Sequence, residues 1–217
     1  MRKLKEKILN NKKWFTRRKT GMTYVELIVV LSIFAALSTV AMFDYGKFQD
    51  NVDLKNLTSD IALKIIEAQK ASIGGNISTH VSPLSNWRPA YGVYFDTNNI
   101  NSTGANSKNF LYFADLNNDT FFNDVFCTPS FSTVECLDKI SITRNDYISN
   151  VEILGTGCPS ITNLSIAFKR PDSSAIITSG GAPMPSCIIS SAKITVASPR
   201  GNRAFITIYP SGRIQIN

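Results

Sequence analysis

One run of residues limits what this chain can become. Positions 22–43 read MTYVELIVVLSIFAALSTVAMF, with a single charged residue, Glu26. As a helix rising 1.5 Å per residue this run covers roughly 33 Å, enough for the hydrocarbon core of a bilayer. No other stretch is as long and apolar, which excludes a polytopic membrane protein. Directly upstream lie Arg2, Lys3, Lys5, Lys7, Lys12, Lys13, Arg17, Arg18 and Lys19 against one acid, Glu6. Such a basic flank stays cytoplasmic, so everything after residue 43 is expected outside the cytoplasm, as in a single-pass protein of the inner membrane.

The net charge of +7 is therefore local. Residues 1–21 carry nine bases and one acid, which leaves 14 bases and 15 acids for residues 22–217. A basic nucleic-acid-binding domain does not fit that balance. With 43% hydrophobic and 18% charged residues the chain is not a disordered one either.

A secretory signal has a shorter apolar core, with its small residue after that core. Here the small residue, Gly21, comes first. The segment Lys19-Thr20-Gly21-Met22-Thr23-Tyr24-Val25-Glu26-Leu27 resembles the class III signal of type IV pilins and type II secretion pseudopilins. That pattern is a basic leader, Gly, a hydrophobic residue, Thr, two mostly apolar residues, Glu and a long apolar helix. The resemblance implies cleavage between Gly21 and Met22 by a prepilin peptidase and N-methylation of Met22. Met22 and Tyr24 replace the commoner Phe and Leu or Ile, and both keep the apolar character. A carboxylate inside a bilayer costs several kcal/mol unless it is paired. In a filament Glu26 can pair with the α-ammonium of a neighbouring Met22; the alternative is an interfacial Glu near a helix end. Ala35, Ala36, Ser38, Thr39 and Ala41 would allow close helix approach, or are ordinary membrane composition.

Beyond 43 the chain turns polar, and Gly46 is a weak point for a helix. Phe48, Val52, Leu57, Ile61, Ile65 and Ala68 recur at spacings of mostly four or three, which predicts an amphipathic continuation over 44–73 that stops near Gly74-Gly75. Residues 74–217 then read as strands at 90–95, 110–114, 140–144, 151–154, 165–169, 175–178, 192–197, 204–209 and 213–216. Turns at 199–202 and 210–212 predict that the last three are successive antiparallel neighbours. A helix followed by strands is an α+β arrangement. The resemblance adds the pilin-like lollipop: a long N-terminal helix, its first half transmembrane, packed on an antiparallel β-sheet domain. The sequences at 68–71, 91–95, 111–119, 204–209 and 211–214 resemble the GspH/FimT branch.

Several constellations bear on chemistry. Asp115, Asn117 and Asp119, followed by Asp124, open like a Ca²⁺ loop built of oxygen ligands. Thr120 stands where such a loop needs Gly and Phe126 where it needs Glu, so an Asn/Asp-rich turn is the competing reading. Cys127, Cys136, Cys158 and Cys187 all follow the anchor, and export favours disulfides. Three pairings are open; the local one, Cys127–Cys136 with Cys158–Cys187, is favoured. Their spacing lacks a C-x-x-C zinc knuckle. His80 is the one histidine, read as a loop residue, so no Cys–His or Ser–His–Asp set is evident and no enzyme is expected. Arg200, Arg203 and Arg213 sit toward the C-terminus, where some FimT-like minor pilins bind DNA through Gly-Arg-x-Arg; Gly212-Arg213-Ile214-Gln215 lacks the second Arg. Solvated hairpin arginines are the favoured reading.

Together these imply a structural subunit, a minor pilin or pseudopilin of a type IV pilus or type II secretion pseudopilus. Its partners would be other pilins, the prepilin peptidase and an inner-membrane assembly platform with a separate ATPase. The alternative is a DNA-uptake minor pilin.

Overall fold

The computed structural model describes residues 21–77, 88–98, 105–122, 127, 134–181 and 184–217. Helix α1 (Tyr24–Ile73) runs 50 residues without a break, and the chain divides at Gly46 into two units, Met1–Gly46 and Lys47–Asn217. In the first unit the helix is long and apolar enough to cross a membrane, and none of that apolar stretch is buried.

In the second unit α1 acquires a buried stripe. Leu54, Thr58, Ile61, Ile65, Ala68 and Ser72 are buried, at alternating spacings of four and three that place them on one face. The stripe begins at Leu54 rather than at Phe48, which is 63% exposed; the expected periodicity there extended the pattern one turn and a half too early. The helix ends at the predicted glycines. Asn76 N–H bonds to Ala71 O, Gly75 N–H to Ser72 O, and Gly75 takes a left-handed φ of 61°. That is a Schellman cap, which favours Gly because the position needs positive φ.

Among the described residues, the strands that follow are all antiparallel. Strands β1 (Tyr91–Asp96), β2 (Asn109–Ala114), β3 (Cys136–Ser141), β4 (Tyr147–Thr156), β5 (Asn163–Phe168), β6 (Ala175–Thr178), β7 (Ile188–Ala197), β8 (Arg203–Ile208) and β9 (Ile214–Ile216) follow the expected order. They form two sheets, β3-β2-β1-β5-β6 and β4-β7-β8-β9. β7, β8 and β9 are successive antiparallel neighbours as the turns predicted. β3 lies about four residues before the expected 140–144, because its partner is β2, with Phe113 opposite Cys136 and Asn109 opposite Ser141. β4 and β7 are longer than expected, since they pair with each other from Tyr147–Ala197 to Thr156–Ile188.

The α1 stripe and the inward residues of both sheets share one core, including Ile61, Ile65, Phe95, Ile166, Ile194 and Ile206. A second cluster, with Tyr94, Leu111, Phe113, Phe122 and Ala167, covers the other face of the five-stranded sheet. All six residues of β1 are thus buried, which is why 90–95 reads as a near-continuous apolar run instead of an alternating one. Gly92 belongs to this strand because a Cβ there would lie 2.5 Å from the Phe113 ring and 2.6 Å from Ile166 O.

Candidate functional site

The N-terminal segment is built as a capped helix start. Thr23 precedes the first helical residue; its Oγ1 accepts the Glu26 N–H at 3.3 Å and its carbonyl accepts the Leu27 N–H at 3.1 Å. Thr-x-x-Glu is the capping-box spacing, a local signal that sequence reading for Glu26 passed over in favour of charge. It explains where α1 begins, and it places the carboxylate on the first turn, where it faces the positive end of the helix dipole. Glu26 itself is exposed. Among the described residues no ion pair involves it.

Gly21 lies just outside the helix and is exposed. A Cβ built on it meets nothing within 4 Å, and its φ is not in the left-handed region. Among the described residues, nothing asks for glycine at that position. Met22 is 57% exposed, as are the large apolar side chains that follow, from Tyr24 to Val40. Two hydroxyls in this stretch bond back to the helix: Ser32 donates to Val29 O at 2.8 Å and Thr39 to Ala35 O at 2.9 Å. An unbroken helix, whose ladder bonds its backbone internally, with the Ser32 and Thr39 hydroxyls turned back on it, suits hydrocarbon surroundings. The leader up to residue 20 lies outside the described residues.

The Asp115 loop is a different kind of site. Asp115, Asp119 and Glu135 bring one carboxylate oxygen each within 4.8 Å of the others. Asp115 is fully buried and Glu135 nearly so. Asp115 accepts the N–H groups of Asp119 (3.1 Å) and Thr120 (2.9 Å), and Glu135 Oε1 accepts the Leu116 N–H at 3.2 Å. Asn117 Nδ2 donates to Asp119 Oδ2 at 2.8 Å. Burial pushes the Asp115 carboxyl above the ordinary range, opposed by the backbone donors of Thr120 and Asn118. The carboxylates thus serve first as acceptors for a turn in which Asn118 and Thr120 hold positive φ, as the Asn/Asp-turn reading expects. The donor set is all oxygen and of the kind a hard cation takes. Glu135 was not legible in the sequence, because it reaches the loop through β2–β3 pairing, with Ala114 N–H on its carbonyl. Asp124 and His80 lie outside the described residues.

Both disulfides follow the local pairing: Cys127–Cys136 and Cys158–Cys187, with Cα separations of 5.2 and 4.5 Å. The three arginines do not form one patch. Arg200 is in the β7–β8 turn and Arg203 opens β8, whereas Arg213 follows the far end of β8. Five residue steps along a strand put Arg203 and the end of β8 roughly 16 Å apart. Arg200 is engaged by Asp50, Nε to Oδ2 at 3.3 Å, and the Arg213 guanidinium stacks 4.0 Å from the Tyr209 ring centroid.

No protein-family model, curated protein or solved structure matches the chain.

Proposed function

We propose that this chain is a structural subunit of pilin type, a minor pilin or pseudopilin that assembles through its N-terminal helix after a prepilin peptidase cuts between Gly21 and Met22. The observation that carries this reading is Gly21. A glycine that no contact among the described residues and no backbone angle requires, set just before a capped apolar helix, fits a requirement imposed by an outside reader of the extended backbone. Small size lets a peptidase approach the scissile bond closely.

Cleavage removes the basic leader, a tail with nine bases and one acid that would oppose withdrawal from the membrane. The new α-ammonium at Met22, N-methylated, lies one turn from Glu26. In a filament Glu26 accepts the charge of a neighbour's Met22, which removes the cost of a lone carboxylate in an apolar surrounding. The exposed apolar face of residues 24–40 buries against other subunits. No nucleotide-binding motif is evident in the sequence, so energy comes from a separate ATPase. The domain after Gly46 is exported, and its partners are other pilins and the assembly platform.

The experiment is intact-mass and N-terminal peptide mass spectrometry after co-expression with a prepilin peptidase. The expected product begins at Met22 and carries one methyl group. A chain retained at Met1, beside a control substrate that is cut, overturns the reading.

A further inference from the structure

One stretch of α1 is helical without an evident reason. Between Gly46, where the chain divides, and Leu54, where the buried stripe begins, runs Lys47-Phe48-Gln49-Asp50-Asn51-Val52-Asp53. Among the described residues, none of these belongs to either core cluster. Phe48 is exposed and Val52 half-buried. Asp50, Asn51, Val52 and Asp53 all rank low in helix propensity, and a glycine precedes the run. Neither core packing nor propensity accounts for the unbroken helix here.

What the stretch does have is charge contacts from two distant loops. Arg144, in the β3–β4 loop, forms an ion pair with Asp53, and Arg200, in the β7–β8 turn, holds its Nε 3.3 Å from Asp50 Oδ2. Gln49 adds a bond within the helix, its Nε2 donating to Asp53 Oδ1 at 2.8 Å. A third carboxylate, Asp146, lines the same cavity as Asp50 and Asp53 and is buried. Burial and the charge of Asp50 push the Asp146 carboxyl up, against Lys108 and Arg144. Lys108 donates to the carbonyls of Arg144 (3.3 Å), Asn145 (2.8 Å) and Asp146 (2.9 Å), which steadies the loop that carries Arg144. The arginines thus hold the helix to the loops against a like charge. Without them, Asp50 and Asp53 would face Asp146 with repulsion only.

We propose that Arg144 and Arg200 form a salt-releasable latch that keeps residues 47–53 helical and seated against the β3–β4 loop and the β7–β8 turn. The side chains of Arg144 and Arg200 are 53% and 58% exposed, and ion pairs of that kind are screened by salt and hold weakly one at a time. They act together because Asp50 and Asp53, three residues apart, share one face of the helix. The stripe from Leu54 to Ser72 is held by burial instead, so an open latch leaves α1 beginning at Leu54. The freed segment then changes from a rod of roughly 10 Å to a tether that extends to about 24 Å. The latch lies wholly within Lys47–Asn217 and is independent of what the N-terminal segment does.

The test uses the full chain, isotope-labelled, in non-ionic detergent micelles, and reads amide hydrogen exchange along α1 with residues 58–72 as the internal reference. Between about 0.01 and 1 M NaCl the Debye length falls from about 30 to about 3 Å. Exchange over 47–53 is expected to rise about threefold or more relative to the reference, the scale that two exposed pairs set. Arg144→Ala combined with Arg200→Ala should give the fast exchange already at low salt and remove the salt response. The swapped pair, Asp50→Arg with Arg200→Asp, should restore slow exchange, which a misfolded chain would not do. Asp146→Asn should slow exchange over 47–53, because it removes the charge that opposes the latch. Exchange there that ignores salt, that ignores the loss of both arginines, or that speeds up in Asp146→Asn overturns the proposal. Equal acceleration over 47–53 and 58–72 overturns it too, and makes the arginines ordinary contributors to the stability of the whole domain.

Discussion

At position 21 a side chain would meet nothing within 4 Å, so stability and processing are separable there. Gly21→Val should leave the thermal midpoint of the unprocessed chain unchanged within error, while removing the Met22-terminated product from the mass spectrum. Equal loss of stability and processing would return Gly21 to an ordinary folding role. Asp115 is the opposite case, a residue whose ionisation belongs to the fold. Its carboxyl is raised in the native state, chiefly by burial, so the native state holds a proton over a pH range in which the unfolded chain has lost it. Stability from this group is full below the ordinary carboxylate pKa and declines as pH rises through the raised value. Asp115→Asn should therefore flatten the stability–pH curve just above the ordinary carboxylate range, as measured by denaturant titration at a series of pH values. A curve of unchanged slope in that window would sink the assignment.

Elements differ in how far the sequence reveals them. α1 contains its own proof: Leu63 is 61% exposed and Ile65 is fully buried, two residues apart on one helix. Ile65→Ala should cost about 2–5 kcal/mol, as expected for a large core truncation. Leu63→Ala should stay within about 0.5 kcal/mol, as for a surface change. Denaturant midpoints of the two variants decide this, and similar losses would mean that the helix face has been misassigned. Local signals of this kind were legible throughout: the apolar run, the glycines that cap α1, the alternating strands and the turns that join β7, β8 and β9. What was not legible depends on partners distant in sequence. The bounds of β3 are set by its register with β2, and those of β4 by its register with β7. Glu135 joins Asp115 and Asp119 only through that β2–β3 pairing, and Arg144 and Arg200 reach Asp53 and Asp50 on α1 from distant loops. The arginines near the C-terminus looked like a cluster because sequence distance is short there, yet β8 carries Arg213 to the far end of its sheet. Phe48 looked like a core residue because a 3.6-residue period does not say where along a helix the packing partner begins.

For the whole molecule, the division at Gly46 separates an exposed apolar helix from a domain with a core of its own. The described apolar side chains before it are exposed, as lipid or neighbouring helices would require, whereas the core after it starts at Leu54 and closes on itself. Among the described residues, every core residue, both sheets and both disulfides belong to Lys47–Asn217. The closed loops span 9 and 29 residues, and a disulfide typically contributes about 2–4 kcal/mol by restricting the unfolded chain. A fragment starting at residue 47, made in an oxidising compartment, should therefore be soluble without detergent and unfold cooperatively. Its midpoint should lie within a few degrees of that of the full chain in micelles, because the core of the described residues lies within it. Reduction should lower the midpoint of both by the same amount, since both disulfides join residues of Lys47–Asn217. A fragment that shows no cooperative transition, with its disulfides verified by mass, would mean that residues 22–46 supply part of the folding free energy. The apolar helix would then be a component of the domain, and its exposed face would need an explanation other than a membrane or a filament.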